Sequence, residues 1–230
     1  MTAKAGSRPV RHQNARAQER GERTRALVID ETIRCIREEG FAAASTRHII
    51  DRAGVSWGVI QYYFGDREGL LTAVIEHANA TLTASLEQIA DAAAQVSDPK
   101  EQADTLTAAA WDVFFSPTSM TALEILIATR AMKGTLTADQ LAGILSAIGR
   151  IGEVLSGSTH HSAAIANLLW SSPVGMMVAQ MVMSDPLPTM SEQKAMAALI
   201  GDHLDASQRE RSSKTKTKAK AKAKTRRPSR

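Results

Sequence analysis

Residues 46–65 leave the chain little choice of local structure. Gly54 and Gly65 close off two apolar-patterned segments, 46–53 and 57–63, each about two helical turns long. Glycine enters the left-handed region without steric cost, so it ends a helix and turns the chain. Ser45 or Thr46 can cap the first segment, and Ser56 the second. The link Gly54-Val55-Ser56 then predicts two helices joined by a tight turn. In that layout Ile49 and Ala53 face inward and Val55 packs in the turn. The N-terminal half of the second helix is left to enter a major groove, which is wide enough for one helix.

The same segment holds Trp57, Tyr62, Tyr63 and Phe64, four of the nine aromatic residues in the chain. Elsewhere the apolar residues are mainly Ala, Leu, Ile and Met, with little β-branched alternation, which predicts an all-α fold. About nine helices are expected, over roughly 22–39, 46–53, 57–63, 67–94, 99–115, 119–131, 137–155, 161–183 and 191–206. Gly40 is expected to cap the first at its C-terminus, with Phe41 folding back onto the core. Asp66 is expected to cap the fourth at its N-terminus.

Charge is segregated along the chain. Residues 1–25 carry seven Lys/Arg and two Glu, and residues 207–230 carry eleven Lys/Arg and one Glu. The intervening residues have ten Lys/Arg against twenty-one Asp/Glu. Two basic ends on an acidic body suit contact with nucleic acid or another anionic surface. No run of about 18 uninterrupted apolar residues occurs, so no membrane partner is expected. The basic N-terminus leads into no apolar signal core, and Cys35 is the only cysteine, expected to be buried among apolar neighbours; a cytoplasmic location follows as an expectation. No Gly-rich phosphate loop, cysteine cluster or nucleophile motif is present. His160 and His161 are adjacent, not one helical turn apart. Neither an enzyme, a cofactor nor a metal is expected.

Read together, Gly40-Phe41, Ser45-Thr46-Arg47, Ala53-Gly54-Val55-Ser56-Trp57-Gly58 and Tyr62-Tyr63-Phe64-Gly65-Asp66-Arg67-Glu68-Gly69-Leu70-Leu71 closely resemble the DNA-binding domain of TetR-family transcriptional regulators. The resemblance covers about residues 20–75. It implies that double-stranded DNA is met by Thr46, Arg47, Ser56, Trp57, Gly58, Gln61, Tyr62, Tyr63 and Arg67. Thr46, Tyr63 and Arg67 would hold phosphates, with Arg67 where the family more often has Lys. Gln61 stands where Tyr is usual; it either pairs bidentately with adenine or makes a phosphate or water-mediated contact. Trp57 either packs on a helix end or meets thymine methyls and sugar edges.

The resemblance further implies a repressor released from an inverted-repeat operator by a small molecule. Composition and charge predict a disordered basic arm (1–20) and a disordered Lys-rich tail (207–230); between them the resemblance implies a helix-turn-helix domain (21–71) and a helical effector-binding and dimerisation domain (72–206). An apolar or amphipathic effector would sit among Trp111, Phe114, Phe115, Met132, Trp170, Met176, Met177 and Gln180. A homodimer would form through Ile165 and Leu169 on one late helix and Met196, Leu199, Ile200 and His203 on the last. The rival expectation is an architectural DNA-binding protein that needs no effector and relies on its basic tail through counterion release.

Overall fold

The computed structural model describes residues 9–133, 138–155 and 162–225, with side chains over 16, 18–130, 141–155 and 164–216. The described residues are helical with no strand: α1 (Pro9–Glu39), a 3-10 turn (Phe41–Ala43), α2 (Thr46–Ala53), α3 (Trp57–Phe64), α4 (Arg67–Ala94), α5 (Pro99–Phe114), α6 (Pro117–Lys133), α7 (Ala138–Leu155), α8 (Ser162–Val182) and α9 (Met190–Thr225).

Local chemistry sets the boundaries. The Ser45 hydroxyl accepts from the His48 amide at 3.3 Å, and Asp66 Oδ1 accepts from the Gly69 amide at 2.8 Å. Asp98 accepts from the amides of Lys100 and Glu101 ahead of a helix that opens with Pro99. Gly54 sits in the left-handed region, at φ 65° and ψ 32°. Ser56 departs from expectation: its hydroxyl makes no cap bond. The first turn of α3 closes through the backbone alone, the Val59 amide donating to the Ser56 carbonyl at 3.0 Å.

Both ends of the chain depart from the boundaries expected of the sequence. α1 begins at Pro9, not near residue 22, and is supported by the i,i+4 pairs Gln18–Glu22 and Glu19–Arg23. Proline is pre-organised for a first helical position, and the Arg, Gln and Ala that follow are good helix formers. α9 runs on through the Lys/Ala/Thr stretch as far as Thr225 instead of ending near 206. Ala and Lys favour helix, and Lys214 lies 3.9 Å from Glu210 one turn back.

The chain divides into two compact units: Met1–His77 with Thr121–Lys133, and Ala78–Met120 with Gly134–Arg230. The division falls inside α4 and α6, not at residue 71. The first unit has a buried core of Val28, Ile29, Ile33, Cys35 and Ile36 from α1, Ile49 from α2, Ile60 from α3, Leu70, Leu71 and Val74 from α4, and Ile125 from α6. α6 also supplies Glu124, which accepts from the Phe41 amide at 2.9 Å.

In the second unit α5 packs on α9 and α8, and α7 packs on α8. The segment Ala164–Val182 of α8 has a mean hydropathy of 1.2 over 19 residues, enough by length and composition to cross a membrane, although no uninterrupted apolar run announces it. Leu169, Pro173 and Met177, spaced four apart along it, are buried within the unit.

Ile60 is the one fully buried residue of α3. Truncation by Ile60→Ala is expected to cost about 2–5 kcal/mol, the usual range for deleting a buried aliphatic side chain. Thermal denaturation followed by circular dichroism reads the loss as a lower midpoint.

Candidate nucleic-acid interface

The outward face of α3 follows from what is anchored inside. With Ile60 buried, Trp57, Gly58, Gln61 and Tyr62 are exposed, Trp57 by 54% and Tyr62 by 79%. Trp57 and Gln61 are one turn apart, and the indole Nε1 donates to Gln61 Oε1 at 2.9 Å. One lone pair of the Gln61 amide oxygen is therefore engaged within the helix. Tyr62 and Tyr63 meet edge to face, with ring centroids 4.8 Å apart. Tyr63 is half-buried, and a Cβ added at Gly21 of α1 would lie 2.7 Å from its hydroxyl oxygen. Gly21 thus makes room for that hydroxyl, a role with no signal in the sequence.

On α2, Arg47 is exposed, Thr46 is half-buried, and Ser56 in the turn is exposed. Arg67 does more than offer charge. Its Nε donates to the Ala44 carbonyl at 2.7 Å, and its guanidinium lies 4.8 Å from the centre of the Phe41 ring. This ties the start of α4 to the 3-10 turn through Nε and the face of the guanidinium. Arg25 of α1 lies over the Phe64 ring at 5.7 Å, a cation beside the aromatic cluster that falls outside the motif itself.

A second polar network fixes α2 on α1. Arg52 pairs with Glu38 at 2.7 Å and with Glu39 at 2.5 Å, and approaches Glu31 at 3.7 Å. His48 Nε2 meets the other Glu39 oxygen at 2.9 Å. The His48 hydrogen bond, then that from Arg52, holds the Glu39 carboxyl below the usual carboxylate range. Burial, and next the Glu39 charge, push the Cys35 thiol up.

The second unit places the remaining expected residues differently. An apolar cavity among its described residues is bounded by Leu86, Ala110, Phe114, Ile148, Ile151, Ala166, Leu169 and Trp170, and at about 10 Å3 it holds no more than one water. Of the expected effector-pocket residues, Phe114 and Trp170 line it. Trp111 and Met177 are buried, and Phe115 and Met176 half-buried, outside that lining. The side chain of Met132 lies outside the described residues, as do His160 and His161. Gln180 braces the turn after α8. Its Oε1 accepts from the Leu187 amide at 2.7 Å, and its Nε2 donates to the Asp185 carbonyl at 3.4 Å.

The expected dimer face is also redrawn. Leu169 and Ile200 are buried inside the unit, while Leu199 is 67% exposed; Ile165, Met196 and His203 are intermediate. The buried stripe of α9 is Ala197, Ile200, Gly201 and Leu204, one position on from the stripe of large apolar residues. The reason is that Ala and Gly, which carry little hydrophobic signal, are what let α9 close on α5. The large apolar residues left outward are Leu168, Val178, Val182 and Met183 from α8 and its end, with Met190 and Leu199 from α9.

Over residues 28–74 the chain matches the family described as bacterial regulatory proteins, tetR family. The HTH-type transcriptional regulator BetI of Burkholderia ambifaria (strain MC40-6) is 36% identical over 88 residues, which is 38% of this chain and 44% of that protein. The chain therefore spans under half the length of the curated relatives it matches. In structure, a TetR-family transcriptional regulator from Pectobacterium atrosepticum aligns with a TM-score of 0.54 at 22% identity, covering 82% of this chain and 93% of that one. SCO4454, a TetR-family transcriptional regulator from Streptomyces coelicolor, aligns with a TM-score of 0.57 at 15% identity, covering 90% and 96%. At these identities the likeness is one of fold.

Arg67→Lys separates charge from geometry. Lysine keeps the cation but cannot reproduce both the Nε hydrogen bond and the guanidinium's place over the Phe41 ring. The expected outcome is a loss of about 0.5–1.5 kcal/mol, the usual worth of one such bond, read in urea denaturation.

Proposed function

Since its N-terminal domain places the chain in the TetR family, we propose that the protein is a sequence-specific DNA-binding transcriptional regulator, a homodimeric repressor released from an inverted-repeat operator by an apolar or amphipathic small molecule. The observation that carries this reading is the outward face of α3, where Trp57, Gly58, Gln61 and Tyr62 stand exposed on a helix anchored by Ile60. Thr46, Arg47, Tyr63 and Arg67 would hold phosphates beside it and set the register, while α3 reads base edges. The excess of Lys/Arg in residues 1–25 adds sequence-independent attraction.

The exposed apolar residues Leu168, Val178, Val182, Met183 and Leu199 support a second copy as partner, because a face of this kind is covered at low cost by its own symmetry mate. A two-fold pair presents two recognition helices, and half-sites about one DNA turn apart, roughly 34–36 Å, suit it. The effector reading rests on the second unit. Trp111 Nε1 and Thr107 Oγ1, one turn apart on α5, are buried without a protein partner, so a bound molecule with polar groups would satisfy them. Because the cavity beside Phe114 and Trp170 is so small, an effector bound there would require an expanded state. The effector would act by favouring that state over the DNA-bound one. A near-complete switch needs about 5.5 kcal/mol of differential affinity.

The test is selection of bound DNA from a random pool, with the full chain and with a chain ending at Arg211, since Ser207 is buried and a shorter chain would cut into the packed part of α9. Enrichment of one inverted repeat by both proteins is the expected result. Binding that disappears with the tail and shows no motif would refute the reading and favour an architectural protein.

The amide orientation of Gln61 gives a finer expectation. With Oε1 engaged by Trp57, the NH2 end seeks acceptors, and guanine O6/N7 or thymine O4 are preferred over bidentate pairing with adenine. Trp57→Phe releases the oxygen. It should shift preference at that base pair towards adenine by about 1–3 kcal/mol, measured by competition between single-base operator variants.

A further inference from the structure

We infer that Cys35, Glu39 and His48 form a binding site for a divalent metal ion of the zinc type, clamping α1 to α2. Cys35 and Glu39 are one turn apart on α1, and His48 comes across from α2. One ligand atom from each lies within 4.8 Å of the others, a spread that small side-chain adjustments close around one ion. Thiolate, imidazole and carboxylate are the three protein ligand types that zinc accepts. No spacing in the sequence announces the site, because His48 reaches the pair only through the fold.

The surroundings suit a cation. Arg52 holds Glu39 Oε1 and leaves Oε2 directed at His48, the arrangement in which an outer partner orients a ligand. Glu31, Glu38 and Glu39 face Arg52 and Arg34 there, so the cluster carries one net negative charge while Cys35 is a thiol. Binding balances simply. The thiol gives up its proton to solvent, the imidazole coordinates through an Nε2 freed of any proton while Nδ1 carries one, and the ion takes its place between Sγ, Nε2 and Oε2. The resulting charge of −2 is cancelled by the divalent ion. An ion can enter from solvent, because the side chains of His48 and Glu39 are 39% and 36% exposed although Cys35 is buried. Three protein donors leave further coordination positions to water.

The site differs from an ordinary ion-pair network in needing the sulfur, and that makes it testable. Cys35 is the only cysteine, so a thiolate-to-metal absorption band can arise from no other residue. The reduced full chain is titrated with Co2+ as a spectroscopic probe. The expected result is a near-ultraviolet thiolate–Co2+ band that saturates at one ion per chain and disappears on adding Zn2+. His48→Gln and Glu39→Gln should each weaken Co2+ binding by at least about 10-fold, the loss that even an outer-shell partner causes. Zn2+ should raise the melting midpoint of the unaltered chain but not of His48→Gln, whose own midpoint reports that it folds. No band in excess Co2+, or a band indifferent to both substitutions, would overturn the proposal.

Discussion

Each of the two short helices that carry the interface is held by a single fully buried side chain, Ile49 in α2 and Ile60 in α3. Helices of eight residues do not persist alone in water, because the cost of nucleation is spread over too few hydrogen bonds. Their positions are therefore set by the core they plug into, and α1, α4 and α6 form that core. What α3 shows to solvent is decided by this anchoring: fix Ile60 inward and the helical repeat turns Trp57, Gly58, Gln61 and Tyr62 outward. The Arg52 network does the same for α2 by polar means, joining it to three glutamates of α1.

How much of this is legible in the sequence depends on the range of the interaction. The turn at Gly54, the end at Gly65 and the cap at Asp66 are local, and residue type alone announces them. The role of α6 is not local. Ile125 enters the core of the first unit, and Glu124 binds an amide 83 residues away, and no short window of sequence records either. The face of α9 escapes for another reason. Periodicity weighs large apolar residues, so Met196 and Leu199 draw the stripe, whereas the residues buried on α9, the helix that packs on α5, include Ala197, Ile200, Gly201 and Leu204. At the Lys-rich end, repulsion between like charges argues for an extended chain, but the helix propensity of Ala and Lys outweighs it.

Charge segregation acts at a longer reach. Between its two basic ends the chain carries an excess of eleven acidic side chains. Such a body is repelled by DNA, so an encounter is favoured only in orientations that lead with the basic segments. Salt would weaken this steering, since exposed charges are screened over about 8–10 Å at ordinary ionic strength. The apolar and hydrogen-bonded contacts proposed for α3 would depend on salt far less. In the proposed complex, orientation and reading would thus be carried by separate residues.

The aromatic cluster then has a physical account beyond composition. Phe64 is packed partly against the core, with the Arg25 guanidinium over its ring. Phe41, further back, holds Arg67 in the same way. Tyr63 places its hydroxyl at Gly21, and Trp57 turns the Gln61 amide by a hydrogen bond. In each case a rigid ring is fixed in one orientation or fixes a polar or charged partner, and a flexible side chain held in this way loses less entropy on binding. A recognition surface built from free Arg and Gln would have to order them at the moment of contact. In the proposed complex the rings would have ordered them beforehand, a physical reason for a chain with so few aromatics to concentrate them around α3.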